Sequence, residues 1–230
     1  MIEAKDITRT FVSGDVTTHV LKGISIRVDS GEFVSIMGRS GAGKSTLMYQ
    51  LSLLDDPSTG EVLVNGRETK DLSQQQKSRL RLTEFGYVFQ DYALLPDLTA
   101  VENVAIALMM QGDSKRVAQG KARQALALVG LDHRFSNLPS QLSGGEQQRV
   151  SIARAVAHEP KVLFADEPTA NLDTFSSGVV IDIFEKLNAN GQTIIMVTHE
   201  AEYARRAKRL ITMEDGLVRT DEPLLKEDAQ

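Results

Sequence analysis

A glycine-rich segment at residues 38–46, Gly-Arg-Ser-Gly-Ala-Gly-Lys-Ser-Thr, constrains the fold of this chain more than any other part of its sequence. The segment has the full spacing of a phosphate-binding loop, in which backbone N–H groups turn inward around phosphate oxygens. Residues 33–37 before it form a short apolar run, typical of a strand buried on both faces. Apolar residues then recur at helical spacing from Leu47 to Leu54, up to the Asp-Asp-Pro of residues 55–57. The sequence therefore predicts a strand, a phosphate loop and a helix that bind a nucleoside triphosphate.

The residues of this loop have separate expected roles. Lys44 is placed to reach the β- and γ-phosphates, and the Ser45 hydroxyl is placed to ligate Mg²⁺. The predicted nucleotide-binding residues in the loop are Gly38, Arg39, Ser40, Gly41, Ala42, Gly43, Lys44, Ser45 and Thr46. Because kinases, GTPases, recombinases and transport motors all use such a loop, the reaction has to be inferred from other residues.

Composition limits the class of protein. A length of 230 residues allows one large domain, or a core with an inserted subdomain, and the net charge of −5 argues against nucleic acid as a partner. No apolar run has the length needed to cross a bilayer, and the first residues lack the pattern of a secretory signal. The absence of cysteine excludes a disulfide framework and a thiolate metal site. We expect a soluble cytoplasmic protein.

The pattern of apolar residues changes twice along the chain. The first third has the alternation and turns of strands, whereas the middle third is helical: Thr99 and Glu102 have capping-box spacing, and residues 114–129 indicate a second helix. The last third returns to apolar strands separated by helices, at residues 162–165, 193–198 and 210–213. Such alternation predicts an α/β protein with a mostly parallel sheet.

Two adjacent carboxylates follow the apolar strand at residues 162–165. Asp166 is expected to hold the Mg²⁺ shell, and Glu167 to polarise the attacking water as a general base. Taken alone, the pair could also be a solvent-exposed strand end. Beside a phosphate loop, it predicts hydrolysis of the bound nucleotide.

The segment Leu-Ser-Gly-Gly-Glu-Gln-Gln-Arg at residues 142–149 decides among the phosphate-loop proteins. Ser143 and Glu146 have capping-box spacing and open a helix that continues to Ala157. Two glycines in the first turn leave backbone N–H groups bare, so this is a second helix start suited to an anion. Because one nucleotide cannot easily use two such ends of one sheet, we expect the second to serve a different ATP.

At these residues the chain resembles the ATP-binding-cassette family, whose signature motif reads Leu-Ser-Gly-Gly-Gln/Glu, and the resemblance extends from Ile2 to about Val218. It implies a homodimer of two cassettes arranged head to tail, in which the signature of one contacts the ATP held by Lys44 of the other. The signature residues carried over are Ser143, Gly144, Gly145 and Glu146.

The resemblance also assigns roles to residues that would carry little information alone. Gln90 matches the glutamine loop, which senses Mg²⁺ and the attacking water and couples to the membrane subunit, and His199 matches the switch histidine at the γ-phosphate. Asn171 and Asp173 match the loop that contacts the opposite cassette, and Phe11 matches the aromatic residue that stacks on adenine. Without the family, His199 would be read as a structural histidine and Phe11 as a core residue.

The implied fold is α/β: a phosphate-loop (RecA-like) parallel-sheet core with an N-terminal antiparallel β subdomain and an inserted α-helical subdomain. We expect one cassette domain over residues 1–230, with the core and β subdomain at 1–90 and 156–220. The helical subdomain with the signature then covers 91–155, and a loosely structured acidic tail covers 221–230.

The nearest resemblance is to the lipoprotein-releasing and macrolide-exporting subgroup, which includes the cell-division cassette. It implies a peripheral ATPase on the cytoplasmic face of the inner or plasma membrane, bound to an integral membrane permease. That complex would export or extract a lipoprotein, peptide or hydrophobic compound. The alternative is a regulatory cell-division-type cassette that acts on a cell-wall enzyme without transport. Tyr92, Leu94 and Leu95 are candidate permease contacts, with ordinary subdomain packing as the other reading.

Three departures from the family pattern bear on substrate class rather than on catalysis. Ala170 stands where many relatives have glycine, Glu200 follows the histidine where aspartate is more usual, and Arg39 occupies a free loop position. Two rival functions do not fit this sequence. A DNA-repair cassette needs a long coiled-coil insertion between the phosphate loop and the signature, and a translation-associated protein needs two cassettes in one chain.

Overall fold

The computed structural model describes residues 1–224, which divide into two compact units. The first unit comprises Met1–Ser78 together with the chain from Thr193 onward, and the second comprises Arg79–Gln192. Both units contain parallel strands with helices, and the first also contains an antiparallel sheet. The predicted α/β class with an antiparallel β subdomain is confirmed.

The first unit holds two sheets. One is antiparallel, with the strands in the order β2-β1-β4-β5. In the other, β3 lies between β8 and β9 and runs parallel to both, while β10 pairs antiparallel with β9. Strands β3 and β8 are buried along almost their whole length, as their continuous apolar sequence predicts. The strands and helices of this unit are β1 (Ile2–Ser13), β2 (Val16–Val28), β3 (Phe33–Gly38), α1 (Lys44–Leu51), β4 (Thr59–Val64), β5 (Arg67–Glu68), β8 (Thr193–Thr198), α7 (Ala201–Ala204), β9 (Arg209–Glu214) and β10 (Leu217–Pro223).

The second unit is mostly helical around two parallel strands, β6 and β7. The ring of Phe164 on β7 packs against Phe85 and Tyr87 of β6, with ring centroids 5.2 Å and 5.6 Å away. Helix α2 (Gln74–Glu84) contains the point where the chain passes from one unit to the other. The remaining elements are β6 (Phe85–Val88), α3 (Ala100–Met110), α4 (Lys115–Leu128), a 3₁₀ turn (Pro139–Gln141), α5 (Gly144–Val156), β7 (Val162–Asp166) and α6 (Thr174–Ala189).

The structure differs from the sequence expectations at three places. Helix α1 ends at Leu51 rather than near Leu54, because Leu53 adopts a left-handed backbone with φ of 60°. Helix α2 and strand β6 were not predicted. The prediction of a loose tail from Asp221 is wrong for its first residues, since β10 continues to Pro223 and Asp221 accepts two hydrogen bonds from Arg209. The rest of that predicted tail, residues 225–230, lies outside the described residues.

Among residues 1–224, no helix combines the length and the apolar character that crossing a bilayer requires.

Candidate nucleotide-binding and signature sites

The phosphate loop joins β3 to α1 in the first unit and depends on glycine at two positions. A Cβ at residue 38 would lie 2.3 Å from the backbone oxygen of Met213, which leaves no room for any side chain. Gly43 adopts φ of 95° and forms the N-cap of α1, where it supplies no side-chain cap. The start of this helix is therefore open to a ligand in the way that phosphate binding requires.

Lys44 begins α1 and is buried, with 7% of its surface exposed. Its Nζ donates hydrogen bonds to the backbone oxygens of Gly38 and Arg39, at 3.0 Å and 3.2 Å. The ammonium group thus lies over its own loop, where those two carbonyls compensate part of its desolvation. A phosphate group in the loop would replace the carbonyls with a stronger partner.

An open cavity of about 830 Å³ in the first unit brings His199 together with the phosphate loop. The wall of this cavity includes Gly38, Arg39, Ser40 and Lys44 from the loop, and His199 directly after β8. Residues of β9 and β10 line the rest, among them Glu214 and Arg219, whose side chains form a 3.0 Å ion pair. The phosphate loop and His199, far apart in the chain, thus share one concave site that contains a cationic lysine.

Phe11 lies on β1 and is not a core residue, since 44% of its surface is exposed. The guanidinium carbon of Arg9 lies 4.5 Å from the centroid of its ring, within cation–π distance. Arg9 is in turn held by Asp55, with 2.8 Å between Nη2 and Oδ1. One face of the Phe11 ring is therefore covered by a fixed cation.

In the second unit, Asp166 ends β7 and is buried, and Glu167 follows it half-buried. Glu167 has a φ of 46°. Residues other than glycine rarely adopt this backbone conformation, and those that do are often located at functional sites. The two carboxylates thus occupy the strand-end position that the sequence predicted.

The predicted capping box at the signature is confirmed. Ser143 Oγ accepts from the Glu146 N–H at 3.2 Å, and the Glu146 carboxylate accepts from the Ser143 N–H at 2.9 Å. Burial acts to raise the pKa of Glu146, but the Ser143 N–H and the Arg134 guanidinium, 2.8 Å away, outweigh it and lower that pKa. The signature helix therefore begins with an ionised glutamate held by the Ser143 backbone and the Arg134 side chain.

Hydrogen bonds tie the glutamine loop to neighbouring motifs of the second unit. Asn171 Nδ2 donates to the Gln90 backbone oxygen at 3.0 Å, and the Tyr92 hydroxyl donates to the Asn171 backbone oxygen at 3.3 Å. Gln148, fully buried in α5, donates to the Pro168 backbone oxygen at 2.7 Å. The segment after Gln90 is thereby linked to the segment after Glu167 within one unit.

Arg154 of α5 fixes the turn that follows Gln90. Its guanidinium donates to the backbone oxygen of Tyr92 at 2.9 Å and to that of Ala93. Both of these residues have left-handed backbones, with φ of 62° and 49°. Because such conformations cost free energy in residues other than glycine, the two bonds to Arg154 explain why this turn is stable.

The remaining candidate residues are exposed to different extents. Asp173 caps α6, where its carboxylate accepts hydrogen bonds from the Ser176 N–H and from the Ser176 hydroxyl. Both bonds lower the pKa of Asp173, and the bond from the N–H has the larger effect. Leu95 is exposed and Leu94 is half-buried. The Tyr92 hydroxyl contacts Asn171, so part of this side chain packs within its own unit.

Sequence reasoning missed Arg9, Arg134, Gln148 and Arg154. None belongs to a recognisable local pattern, because each binds a residue at least 12 positions away in the chain. Arg134 lies 12 positions from Glu146, and Gln148 lies 20 positions from Pro168. Arg9 lies 46 positions from Asp55, and Arg154 lies 62 positions from Tyr92. Only the structure reveals these contacts.

Residues 21–170 match the family model described as ABC transporter. The chain is 50% identical to a lipoprotein-releasing system ATP-binding protein of Aquifex aeolicus over 199 residues, which is 86% of this chain and 89% of the relative. It is 46% identical to an uncharacterised ABC transporter ATP-binding protein of Methanocaldococcus jannaschii over 216 residues, 94% of this chain and 96% of that protein.

The chain is also 46% identical to a macrolide export ATP-binding/permease protein of Bdellovibrio bacteriovorus, over 97% of this chain but only 34% of the relative. It thus spans about a third of the length of the macrolide-export relatives that it matches. Among solved structures, it resembles the dimeric post-hydrolysis state of the ATP-binding cassette MJ0796 bound to ADP and Pi, with a TM-score of 0.91 at 39% identity. That match covers 98% of this chain and 100% of the other.

Proposed function

Because the chain belongs to the ABC transporter family and is an ATP hydrolase of the cassette type, we propose that it drives a membrane permease as an ATP-dependent head-to-tail homodimer. The observation that carries this proposal is the cavity shared by the phosphate loop and His199, which lie together in one unit. Such a cavity fits the phosphates of ATP, with Lys44 at the β- and γ-phosphates and His199 at the γ-phosphate.

In the proposed hydrolysis, Glu167 accepts the proton of the attacking water and Gln90 orients that water. The loop N–H groups and Lys44 stabilise the charge that develops on the phosphoryl oxygens. Phe11 offers the ring face opposite Arg9 to adenine, since stacking on an aromatic face needs only one free side.

Mg²⁺ fits the donors that these residues offer. The Ser45 hydroxyl, the Gln90 side-chain oxygen and the Asp166 carboxylate are the oxygen ligands that this hard cation prefers. Within residues 1–224, no three histidine, cysteine or acidic side chains cluster into a cage of their own. We propose that Ser45, Gln90 and Asp166 would hold the ion when it binds together with the nucleotide, and that its charge would offset negative charge on the phosphates.

The proposed dimer is inferred from the N–H groups in the first turn of the signature helix. The capping box engages the N–H groups of Ser143 and Glu146, so Gly144 and Gly145 offer the remaining N–H groups of that first turn. We propose that these donors contact the γ-phosphate of ATP bound by the partner copy, while Asn171 and Asp173 lie along the same interface. The dimeric state of the 39% identical cassette supports this arrangement.

The membrane partner and the transported substrate are proposed from the relatives of this chain. Relatives at 46–50% identity are named for macrolide export, with ATP-binding and permease parts in one protein, and for lipoprotein release. They support a peripheral position at the cytoplasmic face of the membrane, and export or extraction of a lipoprotein, peptide or hydrophobic compound. Leu95, exposed beside the glutamine loop, is a proposed permease contact.

The catalytic proposal is tested by Glu167→Gln in the full chain. We expect hydrolysis to slow by roughly 10²–10⁴-fold with ATP binding retained, because the amide cannot accept the proton. Glu68→Gln, on exposed strand β5, is the matched control and should hydrolyse at the normal rate. A Glu167→Gln protein that turns over normally would remove Glu167 from its proposed role.

The coupling proposal is tested by affinity purification of the tagged chain from membranes in mild detergent with ATP. Recovery of a permease with a large extracytoplasmic domain would support the export reading. A membrane protein that in turn recruits a cell-wall hydrolase would contradict transport and favour regulation. If no membrane protein is recovered, the transport part is wrong and the ATPase alone remains.

A further inference from the structure

Phe175 is the most exposed large apolar side chain among residues 1–224, with 82% of its surface in solvent. Single exposed apolar residues are common on protein surfaces, so its exposure alone has no functional meaning. Its position is informative because it lies at the second residue of α6, next to the signature.

The backbone around Phe175 is fixed. The Asp173 carboxylate accepts hydrogen bonds from the Ser176 N–H at 2.9 Å and from the Ser176 hydroxyl at 2.8 Å. These bonds cap the helix, and Phe175 lies between the two residues that form them. An exposed aromatic ring on a capped first turn loses little backbone freedom when it is buried, and it has only two side-chain torsions to restrict. Phe175 is therefore well suited to act as an anchor.

Phe175 lines the same cavity as the signature residues. This cavity, of about 390 Å³, is also lined by Ser143, Gly145 and Glu146. The starts of α5 and α6 are in close contact here, since a Cβ on Gly145 would lie 2.7 Å from Ser176 Oγ. The Phe175 ring and the signature residues therefore line one cavity, so a partner that fills this cavity contacts both.

The surface beside Phe175 is open. Apart from its chain neighbours and the backbone of its own helix, a Cβ at Gly178, one turn further along α6, would meet no atom within 4 Å in the described part of the chain. Charged side chains surround the site, with Asp173 held ionised by the bonds that lower its pKa, and with Glu146 and Arg149 in the cavity wall. One apolar anchor within a charged rim is the usual anatomy of a protein–protein contact.

We propose that Phe175 is a contact residue of the ATP-dependent dimer and packs against a second copy of this chain when the signature closes on the partner's nucleotide. The inference rests on the proposed function, because it takes the signature surface as part of the dimer interface. A second copy is the occupant that fits, since Phe175 is continuous with that surface through the shared cavity. In a two-fold dimer each Phe175 is buried once, so the ring contributes twice.

Fluorescence tests this directly, because the chain contains no tryptophan. Phe175→Trp in a Glu167→Gln background, which retains bound ATP, provides a single reporter at the site. We expect its emission to shift to shorter wavelength with ATP, and the shift to grow with protein concentration together with the dimer fraction from size-exclusion chromatography. Met110→Trp, at an apolar site of 69% exposure at the end of α3, is the matched control and should not respond.

A second pair of variants measures the energetic contribution. Phe175→Glu should raise the dissociation constant of the ATP-bound dimer by roughly 10-fold or more, as expected for an anchor counted twice. Met110→Glu, which makes the same change of charge at a comparably exposed residue, should leave that constant unchanged.

The outcomes separate this inference from the function on which it rests. If ATP induces the dimer but the emission of the Phe175→Trp variant is unchanged and Phe175→Glu dimerises normally, the Phe175 contact is wrong and the dimer proposal stands. If the Glu167→Gln protein binds ATP without dimerising, both are wrong. An emission shift of the Phe175→Trp variant that is independent of protein concentration, or that needs the membrane partner, would also overturn the assignment to a second copy.

Discussion

The contact between Arg154 and the turn after Gln90 gives a prediction whose size follows from the structure. We consider Arg154→Met, which keeps a long apolar stem in α5 and removes the guanidinium. The variant leaves the backbone oxygens of Tyr92 and Ala93 without these charged donors. Since both residues have left-handed backbones, the turn is expected to relax.

The magnitude depends on three contributions. A hydrogen bond from a charged donor contributes about 1.5–3 kcal/mol, and the bond to Tyr92 counts because it is partly buried. The bond to Ala93 is at the surface, so water replaces it at little cost. Burial lowers the pKa of Arg154, which indicates a poorly solvated cation, and methionine avoids that penalty. The net loss of stability is about 1–2 kcal/mol, or a fall in Tm of about 2–8 °C for a chain of this size.

The assay combines calorimetry with hydrogen exchange. We expect a lower Tm and faster exchange confined to residues 89–95, whereas Arg116→Met, at an exposed position on α4, should change neither. Arg154→Lys should recover part of the loss, because one ammonium group cannot reach both oxygens as the forked guanidinium does. An unchanged Tm, or a lower Tm without local exchange at residues 89–95, would refute the view that Arg154 holds this turn.

Three further predictions concern other sites. Lys44→Ala should abolish ATP binding in a calorimetric titration, and unchanged affinity would count against the phosphate cradle. Arg9→Ala should raise the Kd for ATP roughly 3- to 10-fold through a less ordered Phe11 ring without lowering the hydrolysis rate at saturation; a fall in that rate alone would contradict this role. Burial lowers the pKa of His158, so the folded state binds a proton on this side chain less readily than the unfolded state does. The contribution of neutral His158 to the free energy of unfolding is therefore fully present above the ordinary pKa of 6.5, and it is lost as the pH falls below that value. His158→Gln, which can still donate to the Phe85 oxygen, should therefore reduce the loss of Tm between about pH 7.5 and about pH 5.5, and an equal loss in both proteins would contradict this.

The features that could be predicted from the sequence are those set by neighbouring residues. The capping boxes at Thr99 and at Ser143 were predictable because donor and acceptor lie three residues apart. The buried strands β3 and β8 were predictable because both of their faces are covered, which makes their sequences continuously apolar. The α/β fold follows from the order of such segments.

What could not be predicted depends on distant contacts or on weak local signals. Helix α2 is rich in glutamine and arginine and lacks an apolar stripe, so no periodicity marks it. Arg154 and Asn171 bind backbone oxygens 62 and 81 residues away, and nothing beside them in the sequence indicates those partners. The roles of Gln90, Asn171, Asp173 and His199 in catalysis or dimer contact stay predictions that rest on the family resemblance.

The two glycine-rich helix starts of this chain differ in a way that fits different occupants. Gly43 caps α1 without a side chain, so no capping side chain competes with a ligand at that helix start, and Lys44 adds a positive charge beside it. At α5, the reciprocal bonds of Ser143 and Glu146 already satisfy donors of that turn, and an ionised Glu146 adds negative charge there. The phosphate loop is therefore expected to bind ATP in the single chain. On the proposed function, we expect the signature to be the weaker anion site, with an affinity that becomes sufficient only when a second copy presents a phosphate already held by its own Lys44.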